Sequence, residues 1–352
     1  MFFASDNWAG AAPKVVEALA KAAGGFHPAY GNDGMTRAVE QRLNELFEHE
    51  ASVFLVSSGT FANALSLTAF ARPGGVVFCH EHAHIMVDEA GATSFLGGGI
   101  TLTGIPGARG KLTPDAVVAA IDGMRDHVPH AGQPIALSLT NLTELGAVYT
   151  VAEVRALADV AHERGCIVHM DGARFANAVA ALGVTPAELT WRSGVDVLSF
   201  GGTKNGCFAA EAVLFFDPAA ARDVAFQRQR AGQGYSKNWF IAAQYEAYLA
   251  DGHWLALAGN ANRMAARLAG AIRASASARL AVEPDGNELF VVVKKDADAR
   301  LKAGGAVYNP WSPDKLPASA RPAGDETVIR LIASWCTTEA DVDGFAALLG
   351  GA

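Results

Sequence analysis

The sequence predicts an α/β fold: a large domain on a mainly parallel sheet, followed by a smaller α+β domain at the C-terminus. Three observations carry this prediction. Short, continuously apolar runs alternate with longer stretches of helical period from about residue 53 to about residue 243. The apolar runs lack a polar face, as expected of strands covered by helices on both sides. Beyond residue 243 the rhythm changes to a long helical region and then two isolated strand-like runs.

Taken in order, residues 53–56 read as a strand and 61–70 as a helix. Residues 76–79 and 135–139 are further strands, and 151–164 a helix leading straight into a strand at 166–170. Runs at 195–200 and 212–216 complete the large sheet. A helical region then extends through Arg273, and residues 289–294 and 328–332 read as strands separated by a polar, proline-rich stretch. The expected division is residues 1–243 for the large domain and 244–352 for the small one. No linker composition marks the join, so the two should pack tightly.

Bulk properties exclude several function classes. Lys and Arg number 28 against 36 Asp and Glu, a net charge of −8, whereas a nucleic-acid binder needs a basic footprint. No apolar run reaches the length of a membrane span. The N-terminus lacks the basic-then-apolar pattern of a signal peptide. Cys79, Cys166, Cys207 and Cys336 are far apart and form no CxxC pair. They are read as reduced, mostly buried thiols of a cytoplasmic protein, with a disulfide as the alternative.

Four features fall at predicted strand ends, where open α/β sheets collect ligands. Ser57-Ser58-Gly59-Thr60 joins a strand to a helix. Its free backbone N–H groups and hydroxyls suit an anion such as phosphate, or serve as a plain helix cap. Asp171 closes the run 166–170, and a buried carboxylate needs a partner: a protonated ring nitrogen, a helix start, or Arg174. Lys204, after an apolar strand and among small residues, is either a pocket lysine able to form a Schiff base or a solvated loop lysine. The fourth is His80-Glu81-His82-Ala83-His84, which matches the H-E-x-x-H pattern of zinc enzymes. That pattern binds metal only within a helix, and here it follows a strand with no third ligand in view. His80 and His82 are therefore read as structural, no metal is expected, and His84 suits packing over a planar cofactor. An anion cradle, a buried Asp and a pocket Lys, in that order, meet the three needs of pyridoxal phosphate.

At these residues the chain resembles the threonine aldolases of the fold-type I pyridoxal-phosphate enzymes, from Ser5-Asp6-Asn7 to about Ala333. The resemblance rests on Tyr30-Gly31-Asn32-Asp33 with Thr36, Ser58 to Asn63, His84 with Glu89-Ala90-Gly91, His169 to Asn177, Ser199 to Gly206, and Ile329-Arg330-Leu331. It is greatest to the low-specificity L-threonine and phenylserine aldolases. What it implies is cleavage of a β-hydroxy-α-amino acid to glycine and an aldehyde, with Lys204 carrying the cofactor, Asp171 on the pyridine nitrogen and His84 on the ring. Ser58, Gly59 and Thr60 would hold the phosphate, while Ser5, Arg174 and Arg330 would grip the substrate carboxylate. An arginine inside the run 328–332 supports this independently, because it is out of place unless it faces an anion. The resemblance further implies a homodimer or homotetramer with shared active sites, for which residues 226–237, with Arg228, Arg230, Tyr235 and Lys237, are a candidate lining.

Two departures affect the acid–base chemistry. Thr143 stands where many relatives have a second active-site histidine, and Asp88 where they have an aromatic. The base for the substrate hydroxyl is then expected to be His84 or a bound water. Rival readings are another fold-type I reaction, such as β-elimination or transamination, and a zinc hydrolase using His80 and His84.

Overall fold

The computed structural model describes residues 1–350. Seven strands form the large sheet: β1 (Ser52–Val56), β2 (Gly75–His80), β3 (Thr101–Ile105), β4 (Gln133–Thr140), β5 (Ile167–Gly172), β6 (Val197–Gly201) and β7 (Glu211–Phe215). Their order across the sheet is β1-β7-β6-β5-β4-β2-β3. β7 runs antiparallel to β1 and β6, and the pairs β6-β5, β5-β4, β4-β2 and β2-β3 are parallel. Successive side chains of a strand face opposite ways. Accordingly Leu198 and Phe200 enter one core with helices Gly34–Phe47, Val151–His162 and Phe175–Leu182. Val197, Val213 and Phe215 enter another, beneath helix Gly59–Thr68. Both faces are covered, which explains why the strands read as unbroken apolar runs.

β3 was not among the expected strands. It is an edge strand, half exposed, with Gly104 in its middle, so neither hydrophobicity nor alternation marks it. The single helical region expected after residue 243 is two helices, Trp239–Leu249 and His253–Ala274. Asp251 (φ 52°) and Gly252 (φ 67°) turn the chain between them in the left-handed region.

The second sheet is antiparallel, in the order β10 (Asn309–Pro310), β11 (Glu326–Ile332), β9 (Glu288–Lys294), β8 (Ala278–Leu280). The cores do not divide at residue 243, which lies inside helix Trp239–Leu249. Trp254, Leu257 and Ala258 pack with the large sheet, whereas Met264, Leu268 and Ile272 of the same helix pack with the small one. The chain's first residues also cross over. Phe3 sits in the small core, and its backbone bonds to Val307 (2.8 Å) and Ile332 (2.8 Å). The N-terminal segment thus serves as a strap that brings Ser5 and Asp6 to the junction of the two sheets. All four cysteines are free, three buried and Cys336 exposed. Among the described residues no helix is long and apolar enough to cross a membrane.

Candidate active site

The C-terminal ends of β4, β5 and β6 and the start of helix Gly59–Thr68 enclose a cleft of about 440 Å³. A second lobe of about 200 Å³ continues it toward β9 and β11. Asn7, His84, Asp88, Glu144, Arg174 and Lys204 line both lobes.

The wall on the large sheet is held by hydrogen bonds. Asp171, near the end of β5, is buried; its Oδ1 accepts from the Ala173 N–H (2.9 Å) and its Oδ2 from the Asn63 amide (2.9 Å). The same amide donates to Glu89 Oε1 (2.9 Å), which also meets His84 Nδ1 at 2.8 Å. Asn63 and Glu89 therefore fix His84 and Asp171 on one frame. The bond to Glu89 raises the His84 pKa, favouring the imidazolium, while burial raises that of Glu89. Arg174, an alternative partner for Asp171, turns away to Asp6.

Ser58 caps helix Gly59–Thr68, its hydroxyl accepting from the Phe61 N–H at 3.3 Å. The cap is formed, and Gly59 and Thr60, whose N–H groups lie in the first turn of the helix and have no intrahelical partner, line the cleft. Residues 226–237 reach the cradle in part. Gln233 Oε1 accepts from the Ser57 N–H (3.3 Å) and hydroxyl (3.1 Å), and the Tyr235 hydroxyl lies 2.9 Å from that of Ser57. Arg228 instead stacks on Phe54, and neither it, Arg230 nor Lys237 lines the cleft.

Lys204 follows β6 in a short turn, Thr203–Asn205, and enters both lobes. The turn is anchored by Asn205, which donates to Tyr248 (2.8 Å) and to the Trp254 carbonyl (2.9 Å). Gly206 closes it at φ 102°, where a Cβ would come within 2.9 Å of Leu257. Below Lys204 lies Glu211, at the start of β7, buried and held by Thr203; burial pushes its carboxyl up to about 7.

Ion pairs dominate the opposite wall. Arg174 grips Asp6 through Nε (2.7 Å) and Nη2 (3.0 Å), and its Nη1 stands 3.7 Å from Glu288. Arg330 reaches the other oxygen of Glu288 at 3.5 Å and stacks over Trp311. Burial raises the pKa of Asp6, but Arg174 and Lys204 hold it below the usual range. For Glu288 burial wins over the two arginines, and its carboxyl is raised. Ser5, Arg174 and Arg330 thus come together around the second lobe, with Glu288 between the arginines.

The histidine cluster has no helical face in common. His80 ends β2, and its Nδ1 accepts from the His82 N–H (3.1 Å) while Nε2 donates to the Gly107 carbonyl (3.0 Å), so neither nitrogen is free. Among the described residues no group of three potential ligands could hold a metal.

Glu144 was missed by the sequence reading, which looked one residue earlier. Thr143 is fully buried and spends its hydroxyl on the Arg109 carbonyl (2.9 Å) and the Ala147 N–H (3.0 Å). Glu144 is the residue that lines the cleft. Glu89, Glu211, Glu288 and Asn63 likewise received no individual role. A carboxylate bordering an apolar run, the signal that exposed Asp171, also marks Glu211 and Glu288.

Comparison with known proteins agrees with this geometry. The sequence profile of the beta-eliminating lyases matches residues 3–296. A low specificity L-threonine aldolase of Pseudomonas aeruginosa is 41% identical over 303 residues, covering 86% of this chain and 87% of that protein. One from Pseudomonas sp. is 39% identical over 304 residues, with 86% and 87% covered. The structure of Leishmania major threonine aldolase superposes with a TM-score of 0.91 at 26% identity, over 99% of this chain and 98% of that one. The chain therefore has the fold-type I architecture and belongs to the beta-eliminating lyase family, among the low-specificity L-threonine aldolases.

Proposed function

We propose that this protein is a pyridoxal-phosphate-dependent aldehyde-lyase that cleaves L-threonine, L-allo-threonine or a related β-hydroxy-α-amino acid such as phenylserine to glycine and an aldehyde. The observation that carries this reading is the meeting of Lys204, Asp171 and Arg330 around one cleft in a chain of this family. The residues present fit the cofactor. Asp171 is a buried carboxylate with no salt bridge to any described residue, as a partner for a protonated pyridine nitrogen should be. Around Gly59 there is open space, so a phosphate can approach the helix start closely.

Lys204 would hold the cofactor covalently, Ser58, Gly59 and Thr60 its phosphate, Asp171 its ring nitrogen, and His84 would lie on its ring. Once bound, pyridoxal phosphate accepts the electron pair of the breaking Cα–Cβ bond. The protein's part is selection and orientation. Ser5, Arg174 and Arg330 would fix the substrate carboxylate, and that grip determines which Cα bond stands perpendicular to the ring. Asp171 keeps the ring nitrogen protonated. The family's other chemistries align a different bond, so positioning decides the reaction.

The cytoplasm is the compartment that suits four free cysteines. By extension of the family resemblance the protein is a homodimer or homotetramer with shared active sites. The domain division is best drawn inside helix His253–Ala274, where the two cores part.

The test is the absorbance spectrum of the purified protein before and after L-threonine, with borohydride reduction, peptide mapping and aldehyde detection. A visible band that responds to threonine, a reduced label on Lys204, and acetaldehyde released without keto acid or folate are expected. A protein that stays colourless after incubation with pyridoxal phosphate would overturn the reading. A coloured one that yields a keto acid would move it to β-elimination or transamination.

A further inference from the structure

We propose that Glu144 is the base that takes the proton from the substrate's β-hydroxyl. This rests on the aldehyde-lyase reading above and supplies the acid–base group that the substitution at position 143 leaves open.

Glu144 lies just beyond the end of β4 and lines both lobes of the cleft, the one bearing Lys204 and Asp171 and the one bearing Arg330. Its placement is fixed. Oε1 accepts from the backbone N–H of His84 (2.9 Å) and from the Thr140 hydroxyl (2.9 Å). Oε2 has no hydrogen-bond partner. That oxygen is closed to solvent, but Glu144 as a whole is only half-buried and lines the cleft, so its carboxylate keeps unused acceptor capacity for an incoming hydroxyl. The bond to the His84 backbone ties Glu144 to the residue expected over the cofactor ring. It therefore sits beside the place where a substrate held by Ser5, Arg174 and Arg330 would present Cβ.

The other candidate fits the task less well. His84 Nδ1 is engaged by Glu89, and that bond favours the imidazolium, which has no lone pair to accept a proton. Thr143 is walled off by its two backbone bonds. Burial moves the Glu144 carboxyl up to about 7, into the range where a base at neutral pH is most effective. The charged and titratable groups that share the cleft with it are Asp171, Arg174, Lys204 and Glu211 from the large sheet and His82, His84, Asp88 and Glu89 from the segment after β2. Glu288, Arg330 and Lys315 face it from the small domain.

The step balances without any further reactant. The O–H proton passes to the Glu144 carboxylate, and the C–O bond becomes C=O. The Cα–Cβ bond breaks with its electron pair remaining on the Cα side. Protonation of Cα then gives glycine, so one proton leaves oxygen and one arrives at carbon.

Two reactions of the holoenzyme separate this role from a structural one. Threonine cleavage needs a base at the hydroxyl, whereas exchange of a glycine Cα proton with deuterated water needs the cofactor, Lys204 and Asp171 but no hydroxyl base. Glu144→Gln keeps an oxygen for His84 and Thr140 and loses only the proton-accepting carboxylate. Its threonine kcat should fall by about two to four orders of magnitude. Glycine exchange and glycine affinity, read from the absorbance band, should fall far less than cleavage does, because neither needs a base at a hydroxyl. The parent's cleavage rate should rise through pH 7 as the carboxylate forms, and this limb should vanish in the Gln protein. Equal losses in cleavage and exchange, or unchanged cleavage, would overturn the assignment. If the Gln protein does not fold, Glu144→Asp serves instead: it should cleave slowly yet keep the pH limb, and parental cleavage by it would also overturn the proposal. A parent that exchanges glycine but releases no aldehyde from L-threonine, L-allo-threonine or phenylserine refutes the aldehyde-lyase reading itself, whatever the variants do.

Discussion

The two walls of the cleft are built on different physics. On the large sheet, Asp171, Asn63, Glu89 and His84 form a chain of hydrogen bonds between 2.8 and 2.9 Å. Across from it, Arg174 grips Asp6 through two bonds at 2.7 and 3.0 Å, but the contacts of Arg330 and Arg174 to Glu288 are loose ion pairs at 3.5 and 3.7 Å. Short directional bonds hold one geometry, whereas longer ion pairs can exchange partners at small cost. The first wall is suited to a resident group whose electronics must not vary. The second is suited to a transient anion, with Glu288 occupying the arginines until one arrives. Damage to the first wall should appear in turnover, and damage to the second in substrate affinity.

The sharpest way to break that contrast is at Asp171. Asp171→Asn keeps the size and the bond from Asn63 but removes the charge that would hold a ring proton. Turnover should drop by about two to three orders of magnitude, with the threonine KM changed little. A steady-state titration with the cofactor saturated would check this, and a dominant rise in KM would place Asp171 in substrate binding instead.

On the other wall, Arg330→Ala should act mainly through KM. Loss of a charge-assisted contact of about 1.5–3 kcal/mol corresponds to roughly 10- to 150-fold in kcat/KM. The cofactor band and its position should be unaltered. A similar spectral change in both variants would erase the distinction between the walls.

Glu288 offers a finer test, because it should compete with the substrate carboxylate. Burial holds its carboxyl above the usual range, so it is protonated at low pH and becomes a rival anion as pH rises. The threonine KM should therefore increase with pH in the parent. In Glu288→Gln that increase should be missing, a difference of about 0.5–1 kcal/mol, or a few-fold in KM, at the alkaline end. Parallel KM profiles for the two proteins would show that Glu288 only spaces the arginines.

How far the sequence reveals this arrangement differs between the walls too. Lys204, Asp171 and Arg330 stand out because each interrupts or ends an apolar run, where a charge is costly without purpose. The strands of the large sheet are legible for the same reason, since their burial on both faces leaves no polar period. What stays hidden depends on distant partners. Asp6 and Arg174 are 168 positions apart, and Asn287 meets Asp6 across 281. Nothing local in the strap formed by the first residues shows that it reaches the C-terminal sheet. Glu144 was overlooked for a subtler cause: adjacent residues in an irregular segment face opposite ways, and only the fold shows that Thr143 turns inward while Glu144 lines the cleft.

A last effect, from Glu211 beneath Lys204, concerns stability rather than turnover or affinity. Its carboxyl titrates at about 7 in the folded chain, against the ordinary 4.5. Between those values the folded chain binds a proton that the unfolded chain has released. The stabilisation is fully present below pH 4.5 and is lost as pH rises through 7. A shift of about 2.5 pH units sets an upper bound of ~3 kcal/mol, and relaxation around the buried group reduces it. Glu211→Gln removes the charge but keeps the volume, so the variant's stability should vary less between pH 5 and 8. Its thermal midpoint at pH 8 should exceed the parent's by a few degrees. Because Lys204 offsets the Glu211 charge, Lys204→Ala should steepen the parent's decline with pH, and combining it with Glu211→Gln should flatten it again. A Lys204→Ala protein with the parental pH slope would show that the two groups are not coupled, and that the floor of the first wall is as insensitive to charge as its sides.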